Sequence, residues 1–177
     1  MVYGNKEYKL RIIPCGFVNP RTTLCIAAGA NIRVEVLMKE LEITGARSRL
    51  KIDPQASIIE DEHVKKERED QFLISEIGST GQGVGAAVAD RVRRVARLAR
   101  DVKELSEYLD DVLTTIWRAL QQGQNVLLEG TQGYYLSLYH GTYPYVTSRD
   151  TTASAVCSEV GIGPKAVDEV VVVFKSY

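Results

Sequence analysis

Apolar residues along this chain recur at two spacings, and each spacing predicts its own kind of element. Tyr8 to Ile13 (YKLRII) roughly alternates and reads as a strand, stopped by Pro14 and Gly16. Thr23 to Ala28 is a second short apolar run, closed by Gly29. Beyond it the spacing lengthens. Val34, Leu37, Met38 and Leu41 share a helical face, with Asn31 as the expected cap and Gly45 as the stop. Residues 49–53 read as a short strand before Pro54. Ser57 to Asp70 reads as a strongly charged helix, with His63 on its solvated face.

The second half continues in the same two periods. Val84, Val88, Val92 and Val95 recur near every fourth position and predict a core stripe, with arginines 91, 93, 94, 97 and 100 on the other sides. Leu105, Leu109, Val112, Leu113, Ile116 and Leu120 predict one long helix with Trp117 at its edge. Asp101 and Glu104 open it at capping-box-like spacing. Val126 to Leu128 is short and glycine-bounded, so a buried strand is expected. A helix from about Asp150 to Val160 stops at Gly161, and Gly161 to Pro164 is a turn. Glu169 to Lys175 (EVVVVFK) is apolar on both faces, the mark of a central parallel strand. Helix, strand, helix and strand in that order predict a βαβ-type crossover. The expected fold is α/β, a mostly parallel central sheet flanked by helices in a single domain spanning residues 1–177.

Composition narrows the function classes. The chain has 177 residues, 45% apolar and 25% charged, ordinary values for one globular unit with a substantial core. A net charge of −1 provides no long-range field toward nucleic acid or an anionic membrane. Three cysteines (15, 25 and 157) are odd in number and share no metal-ligand spacing, which points to reduced thiols in the cytoplasm. No signal peptide or apolar run of membrane-spanning length is present. Two histidines, 63 and 140, exclude a multi-histidine metal site.

Two stretches carry candidate chemistry. In the first, glycines 78, 81, 83 and 85 interleave Ser79, Thr80 and Gln82 ahead of a helix, a loop that presents several N–H groups to an anion. It is not a Walker A loop, because no Lys-Ser or Lys-Thr pair follows. It also lacks the acidic residue that completes a dinucleotide fingerprint. In the second, Glu129-Gly-Thr-Gln-Gly133 follows the predicted 126–128 strand, where open α/β sheets bind ligands. Five of the nine tyrosines (134, 135, 139, 143 and 145) come next, and the run ends in Thr147-Ser-Arg-Asp-Thr-Thr152 before a helix, a natural anion cradle. The same stretch also reads as a hairpin-like loop whose tyrosines fill a satellite core. An unrelated α/β phosphate binder is equally compatible with composition.

Together these stretches resemble adenylosuccinate synthetase, in its shorter archaeal form and with a P-loop-NTPase-like fold. The resemblance rests on Ile77-Gly-Ser-Thr-Gly-Gln-Gly-Val-Gly85 with Asp90-Arg-Val-Arg-Arg94, on Glu129 to Gly133, on His140-Gly-Thr-Tyr-Pro-Tyr-Val-Thr-Ser148, and on Gly161-Ile-Gly-Pro164. It implies a ligase that joins IMP and L-aspartate with GTP and Mg2+, GTP phosphorylating the 6-oxygen that the aspartate amine then displaces. It further implies that Thr80 and Thr147 hold the IMP 5′-phosphate and that Gln132, flanked by Gly133, sits at the purine 6-position in a catalytic role. Arg94 would reach the IMP of a neighbouring subunit in a homodimer. The tyrosines would pack beneath this wall. Ala86 stands where the family usually has proline, which loosens that turn. The family's GTP loop and catalytic histidine would precede Met1, and its aspartate loop would follow Tyr177. The expectation is therefore an internal piece, inactive alone, with few of the GTP and Mg2+ ligands. Two alternatives remain: a phage-type relative acting on dGMP, and a non-catalytic nucleotide- or partner-binding remnant.

Overall fold

The computed structural model describes residues 1–174, and its core is built on two short parallel strand pairs. β1 (Val2–Tyr3) and β2 (Lys6–Glu7) form only a small exposed antiparallel pair at the start. β3 (Leu24–Ile26) then pairs with β5 (Leu50–Ile52), Leu24 opposite Leu50 and Ile26 opposite Ile52. β4 (Asn31–Ile32) pairs with β6 (Ser57–Ile58). Parallel neighbours need a crossover, and α1 (Val34–Thr44) supplies it. Its Leu37 and Leu41 are fully buried, Val34 and Met38 pack beside them, and Gly45 closes the helix at φ 64°. The predicted face and stop are as expected, but Asn31 lies in a strand and Arg33 occupies the cap position. Each such leucine or isoleucine contributes roughly 1.5–3 kcal/mol through burial.

The α/β class holds, with the parallel unit in the first half of the chain rather than the second. Tyr8 to Ile13 is not a strand. Instead the N–H groups of Arg11, Ile12 and Ile13 donate to the buried Glu40 carboxylate at 2.6, 3.0 and 2.8 Å. The charged stretch begins as β6 and turns helical only as α2 (Asp61–Glu69). α3 (Val84–Arg93) buries Ala87, while Val92 and Val95 are exposed, so the four-valine stripe is not a core stripe. The long predicted helix is two pieces. A 3-10 turn covers Lys103–Tyr108, and α4 (Val112–Gln121) restarts with the Asp111 carboxylate accepting from Thr114 N–H at 2.9 Å. α5 (Ala153–Val160) is closed by Gly161 at φ 88°, the expected stop, but it begins later than the expected Asp150, with Thr152 as its cap.

Two predicted strands do not form among the described residues. Val126 and Leu128 pack on the smaller core of Val112, Ile116, Cys157 and Ile162, but Leu127 is 80% exposed and the segment is irregular. Glu169 to Phe174 runs without partners, with Val173 90% exposed; Lys175 lies outside the described residues. No helix among them is long and apolar enough to cross a membrane.

Candidate functional site

The glycine-rich loop is organised from within the protein. α2 projects Glu67, buried, under the start of α3, and its carboxylate accepts the N–H groups of Gly83 at 2.7 Å, Gly85 at 2.6 Å and Ala86 at 3.3 Å. The expectation that this loop offers its N–H groups to an external anion is therefore corrected for these three, because Glu67 occupies them. His63 is also not a surface residue. It is 3% exposed, its Nδ1 accepts Glu60 N–H at 3.0 Å, and its Nε2 faces Asp90 Oδ2 at 3.2 Å. An Nδ1 that accepts leaves the proton on Nε2, which donates to Asp90. That hydrogen bond holds the Asp90 carboxyl below its ordinary range, despite the opposing effect of burial. Thr80 is exposed at the loop tip, where its carbonyl accepts from the Gln82 amide at 3.0 Å and Gln82 in turn accepts from Arg11 at 2.7 Å.

The second stretch is held at both ends. Glu129 accepts from the Cys15 N–H at 2.9 Å and from its thiol at 3.0 Å, which pushes the thiol up from its usual value, burial adding to the effect. Gln132 adopts a left-handed φ of 63° and directs its amide Nε2 onto Thr147 Oγ1 at 3.1 Å. The Gly133 carbonyl accepts from Thr151 Oγ1 at 2.7 Å, and Thr147 N–H donates to Leu136 O at 2.8 Å. Burial pushes the Asp150 carboxyl up, but hydrogen bonds from Ser137 and Thr152 outweigh it and leave the group below its usual range. Arg149 pairs with Glu159 and donates to Gly29 O at 3.1 Å, tying the loop to the turn after β3. The five tyrosines do not pack beneath a wall: all are more than half exposed, and Tyr134 stacks on His140 with ring centres 5.7 Å apart.

The two stretches meet at Gly85. A methyl group there would lie 3.5 Å from Ser148 Cβ, beside Thr147. Gln132, Gly133 and Thr147 thus form one cluster, with the Thr80 loop adjoining it through the start of α3. Arg94 is not part of that cluster. It ends α3, a helix of 10 residues and so about 15 Å long, and is exposed. A cavity of about 300 Å3 beside Asn31, Arg91 and Arg149 is lined by none of the five predicted residues. Among the described residues, only Arg94 and Gln132 hold positive φ without being glycine, at 66° and 63°. Sequence reading missed Glu67, His63 and Arg11. Charged residues of these types on a charged segment give no signal of which face docks.

Comparison with known proteins identifies the family. The family model for adenylosuccinate synthetase matches residues 1–104 and 94–177. The chain belongs to the adenylosuccinate synthetase family. It is 50% identical over 177 residues to the adenylosuccinate synthetase of Methanocaldococcus jannaschii, covering 98% of this chain and 51% of that one. With the Pyrococcus horikoshii enzyme it shares 51% over 180 residues, 100% of this chain and 53% of the other. The chain therefore spans about half the length of the curated relatives it matches. A fully ligated adenylosuccinate synthetase from Plasmodium falciparum superposes with a TM-score of 0.84 at 25% identity, covering 93% of this chain and 49% of that one. The succinoaminodeoxyadenylate synthetase of cyanophage S-2L, bound to dGMP and dATP, reaches 0.75 at 27%, covering 88% and 45%. The adenylosuccinate synthetase family implies GTP and Mg2+. Among the described residues, no group of three or more His, Cys, Asp or Glu side chains is placed to hold a metal ion.

Proposed function

We propose that these 177 residues form the IMP-binding portion of an adenylosuccinate synthetase, a cytoplasmic ligase joining IMP and L-aspartate. The observation that carries this reading is that the strained Gln132 and Thr147 are brought into one loop packed against the start of α3, their mutual hydrogen bond opening when the two reach opposite ends of the nucleotide. Left-handed backbone at a non-glycine residue persists where surroundings impose it, and such positions cluster at ligand sites. Gln132 orients the purine at its 6-position and stabilises charge developing there, the one catalytic role assigned within this chain. Gly133 admits the substrate close to the backbone. Thr147 and Thr80 donate hydroxyls to the 5′-phosphate, and Arg94 completes the site of a neighbouring subunit in a homodimer. The chain folds as one unit and binds nucleotide, while turnover of IMP, GTP and aspartate requires groups beyond those described.

A second reading, dGMP as the nucleotide, is favoured by the likeness to the cyanophage enzyme bound to dGMP. Against it stand identities of 45–51% to the archaeal adenylosuccinate synthetases. Calorimetric titration of the purified chain separates the two. IMP is expected to bind more tightly than dGMP, without product when GTP and aspartate are added. Tighter binding of dGMP selects the second reading, and binding of neither nucleotide overturns both.

A further inference from the structure

Glu67 belongs to no motif, yet it is the anion around which the 81–86 loop is built. Only 6% of it is exposed, and its oxygens take three N–H groups at the start of α3, where the helix dipole favours negative charge. α2 grips α3 a second time through His63 and Asp90. His63 and Glu67 are one turn apart on α2 and so share a face, and Gly83 and Asp90 are two turns apart on α3. At Gly83, whose φ is 81°, the loop can approach this closely only as glycine. A Cβ at Gly83 would lie 2.9 Å from Val64 N, and one at Gly85 3.0 Å from Glu67 Oε1. The Gly85 peptide that Glu67 holds is also the one that faces Ser148, next to Thr147.

We propose that Glu67 is a positioning residue for nucleotide binding. It is the resident anion of the loop and fixes where Thr80 stands relative to Thr147. Because its carboxylate occupies the 83, 85 and 86 amides, a substrate phosphate is held by side chains and not by those backbone groups. This inference rests on the IMP reading above.

The test compares the unaltered chain with Glu67→Gln and Glu67→Ala, titrated with IMP by calorimetry and followed by amide hydrogen exchange. Gln keeps the shape but replaces one acceptor oxygen with a donor. IMP affinity is expected to fall at least tenfold in both variants, with faster exchange at Gly83 and Gly85 and an unchanged circular dichroism spectrum. Formate should partly restore IMP binding to Glu67→Ala by returning a carboxylate to the vacated space, and should not help Glu67→Gln, where the amide fills it. Folded variants that bind IMP within twofold of the unaltered chain overturn the proposal, as does a formate effect equal in all three proteins. Loss of the fold in both variants makes Glu67 purely structural and also overturns it. Failure of the unaltered chain to bind IMP shows instead that the IMP reading has failed, and the positioning role falls with it.

Discussion

At the scale of single residues, strain and predicted function coincide. Arg94 and Gln132 are the two non-glycine residues with positive φ among the described residues, and both are predicted to touch nucleotide. Left-handed backbone costs an L-residue about 1–2 kcal/mol, against roughly 0.5–1 kcal/mol of extra entropy lost by glycine. Arg94→Gly should therefore stabilise the fold by up to about 1 kcal/mol, raising the thermal midpoint by about 2–4 °C. The same change removes a charge-assisted contact of about 1.5–3 kcal/mol and should weaken IMP binding ten- to a hundredfold in the assembled protein. Calorimetry and thermal melts on one sample measure both. A stabilised variant with unchanged IMP affinity would remove Arg94 from the site. Motif spelling alone nominated these residues. Their strain was not legible, because nothing in an arginine or glutamine side chain signals a left-handed backbone.

At the scale of elements, legibility followed whether a segment finds its partners nearby. α1 was readable because Leu37 and Leu41 meet strands within 20 residues in sequence, and α5 because Thr152 and Gly161 mark its ends chemically. The 105–120 stripe reads as one helix because its apolar period continues across a break made by pairing. Asp110 N–H donates to Ile52 O at 3.0 Å, which pulls the backbone out of helix before Asp111 restarts it. Asp111 accepts from both the hydroxyl and the N–H of Thr114, and these bonds hold its carboxyl below the ordinary range. A folded-state value below the unfolded one means that the stabilisation is complete above about pH 4 and is lost as pH falls through the folded value. Asp111→Asn keeps a capping oxygen but removes that titration. The variant should melt close to the unaltered chain at pH 7 and lose less stability by pH 3. Parallel pH dependence in the two proteins would show that the cap does not contribute to acid sensitivity.

At the scale of the whole molecule, one contact between the early and late parts of the chain is tightly specified. Arg149 bridges Glu159 and Gly29 O, and a Cβ at Gly29 would sit 2.3 Å from Glu159 Cβ, so α5 docks where only glycine leaves room. What this docking leaves uncovered is the apolar run whose pattern predicts a central strand. Val170 to Phe174 is in no strand or helix, 59–90% exposed and unpaired among the described residues, and Leu127 and the tyrosines are exposed as well. A run of β-branched residues with free backbone groups is a template for pairing with another chain. The 177-residue chain should therefore associate as its concentration rises through the micromolar range, as followed by sedimentation velocity. Were the run to pair as a strand, Val171 and Val173 would share one face, so Val171→Lys with Val173→Lys should return the chain toward monomer without altering IMP affinity. Association through Arg94 instead would survive that double substitution and respond to IMP. A chain that stays monomeric throughout the range would show that the exposed run is not an association surface.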